Sequence, residues 1–431
     1  MTALRTTRVR WIILALVLFA SFVSYFVRSN LSVIGGAMME DTGLTEIQLG
    51  YIFSAFAAGY ALFQLPGGVL GHRFGARALI TVLAIIWAIL TALTGLVPDT
   101  AEWDVVAVLS SLIVLRFLVG ATNSPIFPVT AGGTIANWFP VGSWGLPMGL
   151  QITGLSLGAA VSAPLLVWLV DAYGWRAALL ITAPCALVLA LVWWWYVRDF
   201  PKDHPSVGPA EQALIDAGRP PPDAHRQPGA WKVALANRDI LLLTISYFCM
   251  NYVFYLFFSW FFFYLVDVKQ FGQQQAGLFV SAQWVLGAIT GAAGGFLCDR
   301  MVRKWGFRLG IRWLAITSLL LTGIFLVGGA VTNSVYVAVT LLCLSYGINQ
   351  LSDPPYWVAA IAVAGRYGEV ATGVLNTGGN VAGFFGGMLV PFVAATLGWT
   401  VAVASGALFL LIGAILWLFI RADRPMLEQQ A

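Results

Sequence analysis

Twelve apolar stretches, each close to the roughly 20 residues that cross a bilayer as a helix, run along this 431-residue chain. They centre near Val17, Ala57, Ile86, Phe117, Leu157, Leu187, Phe257, Ala288, Leu320, Leu344, Ala382 and Leu411. In hydrocarbon the backbone must satisfy its own hydrogen bonds, and continuous apolar runs of this length do so as helices. The expected fold class is therefore an all-α membrane protein with twelve transmembrane helices. Composition agrees: 59% of residues are apolar and only 10% charged. A soluble chain so built would expose large apolar patches, which excludes a soluble enzyme, a disordered protein and a nucleic-acid binder. The net charge of +4 is not clustered on a soluble face, as nucleic-acid binding would need. Cys185, Cys249, Cys298 and Cys343 lie far apart within apolar runs, with no metal-ligand spacing, and read as small buried residues. No metal or cofactor is expected. The first stretch follows Arg5, Arg8 and Arg10 as a signal peptide would, but no small-residue cleavage site is convincing, and it reads as the first helix.

Lys and Arg set the orientation. With the N-terminus inside, 19 of the 23 fall in inner segments and only Arg176 and Lys269 outside. This positive-inside bias predicts cytoplasmic N- and C-termini in a multi-pass protein of the inner (plasma) membrane. Arg28 and Arg116 fall within spans, as does one acid, Asp353.

The only long polar stretch, with seven prolines between Pro201 and Pro228, reads as a cytoplasmic linker with room for a short helix at Pro209 to Ala217. It divides the chain into a six-helix bundle at 1–197, the linker at 198–238, and a second bundle at 239–431. The halves repeat each other. Gly67-Gly68-Val69-Leu70-Gly71-His72-Arg73 after span two matches Gly294-Gly295-Phe296-Leu297-Cys298-Asp299-Arg300 after span eight, an offset of 227. Gly149, Thr153, Gly154 and Gly174-Trp175 match Gly373, Thr377, Gly378 and Gly398-Trp399 at an offset of 224. The glycines of spans five and eleven read as close-packing positions. Parallel six-helix repeats place a substrate site at the midplane between pseudo-symmetric bundles.

The run Gly68-Val69-Leu70-Gly71-His72-Arg73-Phe74-Gly75-Ala76-Arg77 resembles the loop signature of the major facilitator superfamily. Further runs resemble its anion:cation symporter branch, which includes sugar-acid and aromatic-acid transporters, sialin and the vesicular glutamate transporters. These are Tyr25-Phe26-Val27-Arg28-Ser29-Asn30-Leu31-Ser32-Val33, Arg116 to Pro128, Asn137-Trp138-Phe139-Pro140 and Asn376-Thr377-Gly378-Gly379-Asn380. The resemblance covers nearly the whole chain. It implies the major facilitator fold, alternating access about a central site, and monomeric function. It also implies that the span-one arginine, here Arg28, binds a substrate carboxylate, and that the span-four arginine, here Arg116, works with a nearby acid on protons. Tyr60, Asn376 and Asn380 match site-lining positions. His72, Arg73, Asp299 and Arg300 belong to the loops expected to govern the cytoplasmic gate. Three departures stand out. Val27 replaces an acid found before the span-one arginine in several relatives, Asn123 replaces the span-four acid, and His72 replaces the usual loop aspartate.

The residues carry the same theme. An arginine within a span costs about 2.5–3.5 kcal/mol on insertion scales, so it faces a polar cavity. Ser21, Ser24, Tyr25, Arg28 and Ser32 follow helical spacing, which makes one polar face. The guanidinium fork suits a carboxylate; the competing expectation is a snorkel to the outer headgroups. Arg116, Gly120, Asn123 and Phe127 share a face on span four, with pairing to Asp353 as the structural alternative. Tyr247, Asn251, Tyr252 and Tyr255 on span seven, and Tyr60 and Gln64 on span two, can supply donors across from Arg28. Tyr346, Asn349, Gln350, Asp353 and Trp357 form a further polar and aromatic stripe, and Pro354-Pro355 must break the helix there. Asp353 is thus the candidate proton-coupling residue in place of the missing acids; the alternatives are a fixed ion pair with Arg28 or Arg116, or an acid near the inner mouth.

Two intramembrane arginines against one acid leave the cavity positive by about one charge, which favours an anion. The expected function is import of a small organic anion, a carboxylate or sugar acid, by proton symport. Rivals are an uncoupled facilitator or exchanger, a drug/proton antiporter, and a non-transporting sensor. The antiporter is opposed by the absence of a Gly-Pro pair on span five, and the sensor by termini too short for a signalling domain. No nucleophile–base pair, metal cluster or phosphate loop points to an enzyme.

Overall fold

The computed structural model describes residues 7–140, 145–216, 236–364 and 368–422. Those residues are almost wholly helical, with no strand among them. Ten continuous helical stretches are long and apolar enough to cross a membrane. One of them, Leu146–Tyr196, is 51 residues long, far more than a ~30 Å hydrocarbon core requires. It bends at Gly174, whose backbone is non-helical (φ 80°, ψ 163°). The helix Glu46–Gly95 breaks in the same way at Gly75 (φ 78°, ψ 157°). Dividing Leu146–Tyr196 at Gly174 makes eleven, and the arm of Glu46–Gly95 that precedes Gly75 is the twelfth expected span. The spans are α1 (Val9–Thr42), α2 (46–74), α3 (76–95), α4 (Val105–Trp138), α5 (145–173), α6 (175–196), α7 (Arg238–Val268), α8 (Gln273–Trp305), α9 (Phe307–Val331), α10 (Val335–Ala364), α11 (Gly368–Leu397) and α12 (Trp399–Phe419).

The repeat is visible in the backbone. Gly306, between α8 and α9, and Gly398, between α11 and α12, adopt the conformation of Gly75 and Gly174, with φ 78–88° and ψ near 160°. This region is essentially open to glycine only, and each occurrence reverses the chain with no loop. Packing repeats likewise. In the first half α1 packs on α5, α2 on α4 and α3 on α6; in the second α7 packs on α11, α8 on α10 and α9 on α12. Small residues let these axes approach. A Cβ added to Gly59 would lie 2.1 Å from the Phe117 carbonyl oxygen on α4, and one on Gly154 would lie 2.5 Å from that of Leu18 on α1. Gly378, the repeat partner of Gly154, is similarly filled, by Thr244 of α7. Gly149 has nothing within 4 Å and is not a packing position here.

The bundle has two ends: one carries the start of α1, the end of α12 and the described part of the linker, the other is the far end. The halves touch through α1 and α7, α2 and α11, and α5 and α8. At the far end these seams are closed. A Cβ on Gly50 of α2 would lie 2.4 Å from the Gly387 carbonyl oxygen on α11, and Ser54 Oγ donates to the Phe384 carbonyl at 2.7 Å. The α5–α8 seam shows the asymmetry. At the far end Gly277 packs on Pro164, whereas at the other end Gly149 and Gly295 face open space.

The linker docks on the first half. Its helix, Pro209–Asp216, carries Glu211, which is fully buried. That carboxylate accepts from the Val9 and Arg10 backbone N–H groups (3.2 and 3.1 Å) and from the Thr7 hydroxyl. An acid on the first unpaired amides of α1 caps the helix and meets its positive dipole end. Asp199 does the same for α3, accepting from the Arg77 amide at 2.9 Å.

Candidate functional site

Arg28 sits midway along α1, buried, with its guanidinium in a ring of aromatic faces. The ring centroids of Phe258, Tyr60, Tyr25, Phe56 and Tyr255 lie 4.7, 4.8, 5.0, 5.3 and 5.6 Å from it. A desolvated cation over an aromatic face gains about 2 kcal/mol, so several faces together offset the insertion cost. The snorkel to the headgroups is thereby excluded. One Nη donates to the Tyr255 hydroxyl at 2.8 Å, the other to Tyr25 at 3.3 Å, and Nε is buried without a partner. Tyr255 passes the contact on, donating to Asn380 Oδ1 at 2.7 Å, and Asn380 Nδ2 donates to the Asn376 carbonyl. Five of the expected residues, Arg28, Tyr60, Tyr255, Asn376 and Asn380, therefore form one constellation across the seam between the halves.

Arg116 enters it from α4. It is fully buried and donates one hydrogen bond, to Asn30 Oδ1 at 2.9 Å. Its Nε and other Nη have no partner. Arg28 and Arg116 line one small cavity of about 20 Å³ with Phe53, Phe56, Tyr255 and Ser259, room for about one water. Among the described residues neither arginine is paired with an acid. A buried unsatisfied donor costs about 1–3 kcal/mol, and more when charged. The cavity is thus short of acceptors with negative charge.

Asp353 lies apart from both arginines. The α10 helix breaks at Ser352, and Asp353 opens its second arm with Pro354-Pro355 in the first turn, where prolines forgo no intrahelical bond. Tyr247 donates to Asp353 Oδ1 at 2.9 Å and the Trp357 indole to Oδ2 at 3.0 Å. The ion-pair alternative is not what the structure shows.

Two expected residues fall elsewhere. Tyr252 is buried against Phe409 of α12, ring centroids 4.1 Å apart. Three residues before Tyr255, it is about 60° away around the helix, which turns it out of the cage. Asn123 is committed to α1, accepting from Ser24 Oγ at 3.1 Å and donating to the Ser24 carbonyl at 3.3 Å. It ties α1 to α4 through both ends of its amide. Of the gate residues, Arg73, Asp299 and Arg300 are exposed at the terminal end. His72 lies on α2, but its side chain is outside those described. The connected member of that loop is Arg77, which donates to the Trp194 carbonyl at 3.0 and 2.8 Å.

Sequence reasoning missed Phe56, Phe258 and Asn30. Each is one of many apolar or polar residues until a neighbouring helix is placed against it. It also missed Gly379 and Gly383, whose bare backbones receive the Tyr247 and Tyr255 rings: an added Cβ would meet either ring at 2.6 Å.

The comparisons agree with this architecture. The Major Facilitator Superfamily model matches residues 17–311. The chain is 30% identical over 380 residues to the probable sulfoacetate transporter of Cupriavidus necator, covering 87% of this chain and 85% of that one. It is 27% identical over 398 residues to the probable galactarate/D-glucarate transporter of Bacillus subtilis, covering 90% and 86%. Among solved structures, a bacterial homologue of the human lysosomal transporter Spinster, inward-facing and unoccupied, superposes with a TM-score of 0.76 at 16% identity, covering 98% of this chain and 99% of that one. The chain is a multi-pass membrane transporter, not an enzyme, and belongs to the Major Facilitator Superfamily, in its anion:cation symporter branch.

Proposed function

We propose that the protein imports a small organic anion, a carboxylate, sugar acid or sulfonate, by proton symport through alternating access. The observation that carries this is the pair of buried arginines, with unpaired N–H groups and no acid partner among the described residues, around one cavity at the seam. An anionic group there supplies what the cavity lacks, and Arg28 offers it a bidentate fork. Similarity to the sulfoacetate and galactarate/D-glucarate transporters supports the substrate class. The Lys and Arg distribution supports cytoplasmic termini in a bacterial inner membrane. On that orientation the closed far end is extracellular, and this conformation opens inward. Asp353, held by hydrogen bonds and free of any ion pair, is the proton carrier in this reading. The protein acts as a monomer. The exchanger reading keeps one observation in its favour: both usual acid positions are Val27 and Asn123, and Asn123 is locked to Ser24.

Uptake into proteoliposomes separates the two. A panel of labelled organic acids is offered with and without an inward proton gradient, to wild type and Asp353→Asn. Symport predicts gradient-driven accumulation in wild type only, with counterflow kept in the variant. Equal wild-type uptake under both conditions would overturn symport and leave an exchanger.

A further inference from the structure

Both carboxylate oxygens of Asp353 accept from a donor, and the two donors are not alike. The Trp357 indole can only donate, whereas the Tyr247 hydroxyl can also accept. A proton arriving at Asp353 cannot sit comfortably on Oδ2, where the indole N–H points at it. It goes to Oδ1, and the carboxyl O–H then faces the Tyr247 oxygen. Tyr247 must turn from donor to acceptor and aim its own hydrogen elsewhere.

The ring around that hydroxyl is fixed. Tyr247 is buried, rests on the bare backbone of Gly379, and packs against Tyr356 and Trp357 with centroids 5.1 and 5.9 Å away. Only the O–H torsion is left free. Tyr247 and Tyr255, both on α7, rest on Gly379 and Gly383, one turn apart on α11, and the Tyr255 hydroxyl accepts from Arg28. The released hydrogen is then offered to the part of an anion that extends from Arg28 along α11, about one helical turn (~5–6 Å) away. The titratable groups facing Asp353 are Tyr247 from α7 and Tyr346 and Tyr356 from its own helix; Tyr346 is also within reach of Arg28 and Tyr25. Among the described residues no arginine, lysine or second acid pairs with it.

We propose that Tyr247 is the residue that links the proton to the anion, its hydroxyl donating to Asp353 when the carboxylate is charged and to the bound anion when Asp353 is protonated. Tyr247 keeps its own proton throughout. The net event is one proton from water onto Asp353 Oδ1 and one O–H rotation. The anion then gains a donor only on the protonated carrier, which is the condition for symport. This inference rests on the proton-carrier reading of Asp353 and names how that site speaks to Arg28.

The test is the pH dependence of anion affinity, measured with the organic acid that wild type transports, on wild type, Tyr247→Phe, Asp353→Asn and the double variant. Wild type is expected to bind more tightly as pH falls. Tyr247→Phe keeps the ring on Gly379 and is expected to bind about tenfold more weakly at low pH and to lose the pH dependence. Asp353→Asn, whose amide N–H₂ mimics the protonated acid toward Tyr247, is expected to bind at the wild-type low-pH affinity at every pH. The double variant should match Tyr247→Phe. A Tyr247→Phe profile identical to wild type, with Asp353→Asn flat, would overturn the role of Tyr247 while keeping Asp353. A wild-type profile that does not depend on pH would overturn the proton-carrier reading itself. If Tyr247→Phe does not fold, Gly379→Ala, which displaces the same ring, is expected to weaken the pH dependence in its place, and an unchanged profile there counts against the proposal.

Discussion

A guanidinium at mid-bilayer is stable here because aromatic faces surround it and one tyrosine hydroxyl anchors it. Tyr255 is the sharpest single test of that arrangement, because its oxygen joins Arg28 to Asn380 on the other half. Tyr255→Phe removes the hydroxyl and keeps the ring. A hydrogen bond to a charged group contributes about 1.5–3 kcal/mol, so anion affinity is expected to fall roughly tenfold to a hundredfold, read by equilibrium binding; affinity within twofold of wild type would show that the hydroxyl does not orient Arg28. Arg28, Arg116 and Asp353 were legible from sequence for one reason: a charge inside an apolar run has few physical excuses. The partners of Asn123 and Tyr252 were not legible, because helical spacing gives a face but not its neighbour. Asn123 faces Ser24 and Tyr252 faces Phe409.

Among the elements, the twelve spans and their orientation bias follow from the apolar runs and the Lys and Arg count. The docking of the linker does not, because Glu211 meets the start of α1 some 200 residues away. The composition of that stretch suggests a tether, whereas its described part is a clamp. Glu211→Ala leaves the first amides of α1 uncapped and is expected to cost about 1–2 kcal/mol, seen as a lower thermal midpoint in detergent, with Glu211→Gln intermediate. His204 gives the clamp a pH response. Its ring is wedged between Trp138 and Tyr196, and its Nδ1 accepts from the Ser206 amide. Burial, and secondarily Arg198, holds the imidazole below its ordinary value of 6.5. The docked form binds the proton less readily than the undocked form. Docking is therefore fully supported above pH about 6.5 and weakens as pH falls below it. Amide protection factors across 204–216 are expected to fall as pH drops below about 6.5 in wild type and to stay level in His204→Gln.

At the scale of the whole molecule, the sequence repeat at offsets of 227 and 224 already implied two parallel halves, and the four equivalent glycine bends express it in the backbone. Which end is closed was not legible, because one sequence serves every state of the cycle. The closed far end rests on glycines, and Gly50 and Gly387 touch backbone to backbone. Gly50→Val puts a branched side chain where a single Cβ already meets Gly387 and Pro391 at 2.4 and 2.7 Å. The variant is expected to favour the state open at the far end. A cysteine replacing Ser54 should then label faster from that side, and transport should fall with expression maintained. Unchanged labelling would mean the seam tolerates the bulk.

In the proposed function, Arg28, in its aromatic cage between the halves, is what holds the transported anion. The most direct measurement is equilibrium binding of organic acids to purified wild type and Arg28→Lys. Lysine keeps the positive charge but loses the planar fork. Saturable binding of at least one carboxylate or sulfonate is expected for wild type, weakened a hundredfold or more in Arg28→Lys. Equal affinity in the two proteins would contradict it and move the anion site away from the cage.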